Sequence, residues 1–314
     1  MSHHSHLDRI ADALEVVPDV VPAVSAPVRS AVFVGSGDSL SSGLLAQAHG
    51  HRAMSSGDIT FMGRLPVGAE TVVGISHSGT SGATVRALRL ARENGMRTVA
   101  ITSNGDSPLA EAADEVQLVP SLPLDETVPC AGHLMLGLGV AAVCGEDVSG
   151  ATGALAADLR TRGALLDAVV ETLPSEAPAG IALLSLPDLR GAADFWMLKL
   201  IEATGVSVRT TALEESGHVD YFIGPQAQLV VQLIGEHGAG RFERLATALE
   251  HTGQTVLPVR VPVVAEGVLH ELAGAALGTV VAEAAAARWG RPPFRGGAVN
   301  MDASHIKLDG HAVV

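Results

Sequence analysis

The chain has 314 residues, 47% of them hydrophobic but only 3% aromatic, and carries a formal net charge of −14. That length exceeds the usual span of one hydrophobic core, so two domains, or one large α/β domain built from many small side chains, are expected. The acidic balance, with no run rich in Lys or Arg, excludes the electrostatic footprint of a nucleic-acid or anionic-membrane binder.

The opening residues, MSHHSHLDRIADALEVV, lack the basic-then-apolar layout of a secretory signal, and no uninterrupted apolar stretch reaches the roughly 18 residues of a membrane span. A cytoplasmic protein with no membrane partner is therefore expected. Residues 1–29 read as an N-terminal helical segment, with HHSH at 3–6 as a mobile terminus. Short β-branched runs then alternate with helical patterns. SAVFVG (30–35), TVVGIS (71–76), RTVAIT (97–102) and EVQLVP (115–120) read as strands, with helices near 41–49, 82–94, 106–113 and 131–144. CGEDVSGATG (144–153) reads as a hinge into a helical connector. A second series follows, with strands at 180–186, 206–213, 228–235 and 254–261 and a helix-rich stretch over 266–289. Such alternation predicts α/β architecture, a parallel sheet with helices on both faces.

The two series echo one another. Residues 72–102 and 230–260 share strand, Gly-bearing turn, amphipathic helix, Gly and strand in the same order, which reads as a duplicated α/β unit. Only the first copy keeps hydroxyls in the turn, at Ser76, Ser78 and Ser81; the second carries Glu236, His237 and Ala239 there. A turn between a strand end and a helix start gathers free backbone N–H groups and the positive end of the helix dipole, so hydroxyls placed there suit phosphate or another anion. The same residues could equally serve as helix caps. A second loop of the same make, SGDSLSSG, follows the first strand with Ser36, Gly37, Ser39, Ser42 and Gly43.

These two loops resemble those of the sugar isomerase (SIS) domain family, which binds phosphosugars and includes the isomerase half of glucosamine-6-phosphate synthase and phosphoglucose/phosphomannose isomerases. SHSGTS is similar to the family's S-x-S-G-x-T phosphate loop, with Ser76, His77, Ser78 and Ser81 in its frame, and Ser36, Gly37 and Ser39 fall on its first phosphate loop. The resemblance implies two doubly wound parallel-sheet (flavodoxin-like, SIS) domains in tandem: a phosphate-binding one over 30–150 and a catalytic one over 151–300, with a tail at 301–314 over the active site. Lys199 and Glu202 form the family's K-x-x-E helix pattern, and Glu215 and His218 its E-x-x-H, with His218 sixteen positions after Glu202.

By that resemblance Glu202 would move a proton between C1 and C2 of an open-chain sugar through a cis-enediol. His218 would open the ring, Lys199 would orient or ionise the glutamate, and Lys307 in the tail, with His305 as substitute, would reach over the sugar. Glu126 and Thr127 fall on a sugar-contacting loop. A carboxylate desolvated in a cleft and a histidine both titrate near neutrality, as such proton transfers require. The implied function is an aldose–ketose isomerase acting on a small-molecule sugar phosphate. An aminosugar-phosphate deaminase, ammonia-dependent synthase or deglycase uses the same proton transfer, and a non-catalytic phosphosugar sensor is the reading of another class. A homodimer sharing its active site between subunits is implied. No cofactor and no metal site are expected; Cys130 and Cys144 lack CxxC spacing and read as reduced, buried residues. Asp38, a carboxylate inside the first loop, is expected either to face away from the phosphate or to mark a substrate other than a hexose 6-phosphate.

Overall fold

The runs AVFVG and TVVGI are apolar except for Thr71 because both faces of each strand are covered, and every residue of both is buried. The computed structural model describes residues 3–223, 227–263 and 267–291, with side chains from residue 6 onward. It begins with α1 (His3–Val16), whose Leu7, Ile10, Ala11 and Leu14 are buried. That apolar spacing makes the 3–6 stretch a helix start rather than a mobile terminus, and His6 Nδ1 lies 2.7 Å from Glu283 Oε2.

The chain divides into two units. One takes Ala13–Pro123 and Ala131–Gly153. Its elements are β1 (Ala31–Gly35), α2 (Asp38–Leu44), β2 (Arg52–Ser55), α3 (Ser56–Met62), β3 (Thr71–Ile75), α4 (Gly82–Glu93), β4 (Arg97–Thr102), α5 (Pro108–Ala112), β5 (Glu115–Leu118) and α6 (Ala131–Cys144). The strands are all parallel in the order β2-β1-β3-β4-β5, the flavodoxin-like winding. Val32, Val34 and Val72 pack on Ile59 of α3 and Val85 and Leu88 of α4. On the opposite face, Phe33 and Ile75 approach Gly43 of α2. The pleat thus sends alternate residues into two helix layers.

The other unit takes 3–12, 124–130 and the described residues from 154 onward. After α7 (Ala151–Thr161) and α8 (Gly163–Thr172) come β6 (Gly180–Ser185), α9 (Arg190–Thr204), β7 (Val208–Ala212), α10 (Leu213–Val219), β8 (Gln228–Ile234), α11 (Ala239–His251), β9 (Thr255–Arg260) and α12 (Val268–Arg288). Its parallel order, β7-β6-β8-β9, repeats that of β2-β1-β3-β4. The echoed segments occupy matching places: β3–α4–β4 answers β8–α11–β9, and Gly95 and Gly253, both at positive φ, close the two helices. Ala182, Leu184, Val230 and Ile234 pack on Phe242 and Leu249 of α11.

Several elements depart from expectation. Nothing in the sequence announced β2 or α3: RAMS is a short edge strand with no buried residue, so the alternation that marks a strand is absent. The helix expected over 41–49 starts at Asp38, which buries Ser42 and Gly43 inside α2 instead of leaving them in the loop. His218 stands on the helix α10, which the strand pattern over 206–213 did not announce. The apolar helix α12 is long enough to cross a bilayer by length and composition, but 89% of its apolar window is buried inside the fold.

Candidate functional site

In a doubly wound sheet the crevice opens where the strand order reverses, here between β1 and β3, beyond their carboxyl ends. The loops after these two strands are the two Ser/Gly loops. Ser76 directly follows β3 and is buried, and the Gly79 amide closes a tight turn on the Ser76 carbonyl at 3.1 Å. Gly79 has φ +69°, and a Cβ there would run into the Ser107 side chain, so the turn requires glycine. The turn is pinned from below, since the His77 carbonyl accepts from Ser103 Oγ at 2.8 Å and Thr102 Oγ1 at 3.1 Å.

The hydroxyls do not cap the helix. Ser81 is the N-cap residue of α4 but makes no side-chain cap bond; its Oγ lies 3.1 Å from Ser76 Oγ. Ser78 Oγ, exposed, lies 2.8 Å from Thr80 Oγ1. The first turn of α4 holds no acidic residue, so the positive end of its dipole faces the crevice without a compensating charge of its own. The first loop is joined to the second through a residue the sequence did not single out. Ser36 Oγ is 3.0 Å from Ser56 Oγ at the start of α3, and Thr84 Oγ1 of α4 donates to that same Ser56 oxygen at 3.3 Å. Ser56 was illegible because the strand before it was. Gly37 is the N-cap residue of α2 at φ +56°, and Ser39 lies in its first turn. Asp38 is the first residue of that helix, where a negative charge meets the dipole favourably. Ser42 Oγ is bonded to His133 Nδ1 at 2.9 Å, away from the loop. His77 is half-buried, and desolvation holds its imidazole below the ordinary range. Its ring abuts Gly132, where an added Cβ would stand 3.4 Å from Cδ2.

In the unit of the four-stranded sheet, Lys199 and Glu202 are one turn apart on α9, and Lys199 Nζ meets Glu202 Oε2 at 2.8 Å. Lys199 is fully buried, with its ammonium 5.0 Å from the Phe195 ring centroid, whereas Glu202 keeps 35% of its side chain exposed. A buried cation thus orients a carboxylate that still reaches solvent. Glu126 Oε1 accepts from the Cys130 amide at 2.6 Å. The Cys130 thiol is pushed well above its usual range, first by burial and then by the Glu126 charge, while Thr279 and Lys199 pull it down. Glu126, Cys130 and Lys199 therefore share one neighbourhood, with Thr127 exposed beside it. His218 and Glu215 are exposed on α10. That helix is held from beneath by Ser216 Oγ on Asp220 Oδ2 at 2.7 Å and by the Arg209–Asp220 ion pair. Among the described residues no hydrogen bond or ion pair joins His218 to Glu202. Lys307 and His305 lie outside the described residues. Among the described residues no three potential metal ligands gather.

Residues 27–129 match the SIS domain. Over 45 residues the chain is 51% identical to the N-acetylmuramic acid 6-phosphate etherase of Bacteroides thetaiotaomicron, a stretch that covers 14% of this chain and only 16% of that relative. Two solved structures share the fold over nearly the whole chain. Glucosamine-6-phosphate deaminase from Thermotoga maritima superposes with a TM-score of 0.69 at 17% identity, covering 91% of this chain and 92% of its own. Tagatose-6-phosphate ketose/aldose isomerase from Escherichia coli gives a TM-score of 0.67 at 18% identity, covering 94% of this chain and 89% of its own.

Proposed function

We propose that this protein is a sugar-phosphate isomerase of the SIS type, with a SIS-like half in each unit, and that it interconverts an aldose phosphate and a ketose phosphate. The observation that carries the reading is the turn at Ser76–Ser81, whose hydroxyls bond one another instead of the helix they precede. Hydroxyls spent on capping would be unavailable; here they stand with the unfilled end of the α4 dipole, a donor set complementary to a phosphate dianion. The SIS match over 27–129 contains this turn, and the proteins that share the fold act on phosphosugars by their names.

In this reading Glu202 takes the proton from one sugar carbon and returns it to the next. The electrons of the broken C–H bond pass through a cis-enediol, so no redox partner or cofactor is needed. Lys199 holds the carboxylate in place and favours its ionised form before the proton is taken. His218, exposed on α10, is the ring-opening acid–base group, supplied to a neighbouring subunit's substrate in a homodimer. Glu126 positions the loop that carries it, and Lys307 contacts the sugar.

The test is exchange of solvent deuterium into C2, followed by NMR, across hexose, pentose and aminosugar phosphates with and without ammonia. Exchange that disappears in Glu202→Gln is the expected result. Saturable binding without exchange for any sugar phosphate would defeat the isomerase reading in favour of a sensor, and turnover only with ammonia would move it to the amine-transferring branch.

A further inference from the structure

The four-stranded sheet has a switch point of its own, between β6 and β8, at the place in the strand order where the other unit presents its serine loops. The polar groups around it come from four directions. Glu271 of α12, 5% exposed, directs Oε1 at the opening of α9, where it accepts from the backbone amides of Gly191 and, at 3.1 Å, of Ala192. The α9 helix has fifteen residues, no side-chain cap and no acidic residue in its first turn, so these amides have Glu271 in place of a residue of their own helix. Asp188, in the loop after β6, lies directly against Gly235 at the end of β8, where no Cβ would fit. His270 is 6% exposed, with neither ring nitrogen in hydrogen-bond geometry; its Nε2 faces that same glycine, 3.4 Å from where a Cβ would stand. Arg162, 1% exposed, clasps Asp158 at 2.6 Å and the Pro262 carbonyl at 2.9 Å.

We infer that this second crevice is filled from within: the carboxyl of Glu271 sits on the opening amides of α9, and the chain consequently takes one external anion, not two. The half of the inference that concerns Glu271 stands on the geometry above, and the stoichiometry rests on the function proposed for the serine turn. Removing the side chain would leave two buried N–H donors without an acceptor. Burial and the Asp188 charge make the vacated space unfavourable for a dianion, so the ligand class it accepts is a small monocarboxylic acid, taken up from its carboxylate together with a proton.

The experiment compares wild type, Glu271→Ala and Glu271→Gln in sodium formate and in sodium chloride at matched ionic strength. Unfolding is read from tryptophan fluorescence, since both tryptophans, Trp196 and Trp289, belong to this unit. Wild type and Glu271→Gln are expected to melt alike in the two salts, because an acceptor oxygen already fills the space. Glu271→Ala is expected to melt lower in chloride by roughly 5 °C or more and to recover with rising formate. Equal melting of Glu271→Ala in both salts, or a formate response in Glu271→Gln, would overturn the inference. If Glu271→Ala does not fold as made, refolding yield decides: a higher yield in formate supports the inference, and equal yields, nil included, refute it. Isothermal titration of wild type with inorganic phosphate completes the set. One site per chain is expected, and two would refute the occlusion. None would count against the serine turn while leaving the formate result to judge Glu271.

Discussion

Glu271→Gln should remove a specific pH dependence from the stability of the four-stranded unit. Burial, the largest influence, pushes the Glu271 carboxyl from its ordinary value of 4.5 up to about 8, with the Asp188 charge adding to it. The amides of Ala192 and Gly191 and the Arg190 charge pull the other way. The folded protein therefore holds this proton more tightly than the unfolded chain does. Stability from this group is complete below pH 4.5, declines as pH rises, and is lost once pH passes 8. At ~1.4 kcal/mol per pH unit the full excursion is ~5 kcal/mol.

Glutamine imitates the protonated carboxyl and does not titrate. The two proteins should be closely matched near pH 5, and wild type should fall behind by most of that amount at pH 9. Denaturant unfolding at half-unit pH steps, followed by tryptophan fluorescence, measures the difference directly; titrations common to both proteins, such as that of His270, cancel to the extent that they are uncoupled. A stability difference constant within ~1 kcal/mol from pH 5 to 9 would show that the two amides outweigh burial and that Glu271 is ionised throughout.

Other outcomes follow from the serine turn and from the Lys199 pair. Ser76→Ala and Ser81→Ala should each weaken phosphate binding by calorimetry about tenfold, ~1.4 kcal/mol, with little change in melting temperature, whereas a true N-cap would cost ~1 kcal/mol of stability when lost. Gly79→Ala should both destabilise the five-stranded unit by ~1–2 kcal/mol and abolish phosphate binding, because φ +69° and the Ser107 side chain leave no place for a methyl group; unaltered affinity would show that the turn is not the anion grip. Glu202→Ala takes from the buried Lys199 ammonium the carboxylate 2.8 Å away, and should cost ~1–2 kcal/mol more in denaturant than Glu202→Gln. If the two variants unfold together, the pair does not stabilise the helix.

What the sequence shows and what it conceals divide along a physical line. The strand–turn–helix–strand echo of 72–102 in 230–260 was legible because buried parallel strands are apolar at most positions and the helices between them carry an amphipathic period. The serine turn was legible because it lies between such landmarks. Ser56 was not, since it follows an edge strand whose residues are exposed or half-buried, a pattern that loops share. Glu271 was concealed more deeply. In VLHELAGAAL a single glutamate among apolar residues reads as a helix facing core or partner, and its meaning depends on Gly191 and Ala192, some eighty positions away. Helix α10 was not legible either, since ALEESGHV shows no apolar repeat, although Ser216 and Asp220 fix it by polar contacts.

The same backbone pattern therefore tolerates two kinds of crevice, and the reason lies in where the folding energy resides. Valines and leucines of the central strands packed on the flanking helices make up the core of each unit, well below the strand ends. Changing the residues of the crevice loops leaves that packing intact. What cannot be changed freely is the satisfaction of the helix-opening amides, because a buried N–H without an acceptor costs ~1–3 kcal/mol. A half that binds an external anion can leave those amides to the ligand. A half that does not must bring an acceptor of its own, and α12, packed along α9, is the element placed to deliver one. On that argument the second copy has changed at both loops of its crevice: the turn before α11 has lost its serines, and the amides that open α9, the counterpart of α2, are held by Glu271. Restoring hydroxyls at Glu236 and His237 without removing Glu271 should then leave phosphate binding at the single site of the wild type, as titration of such a variant would show.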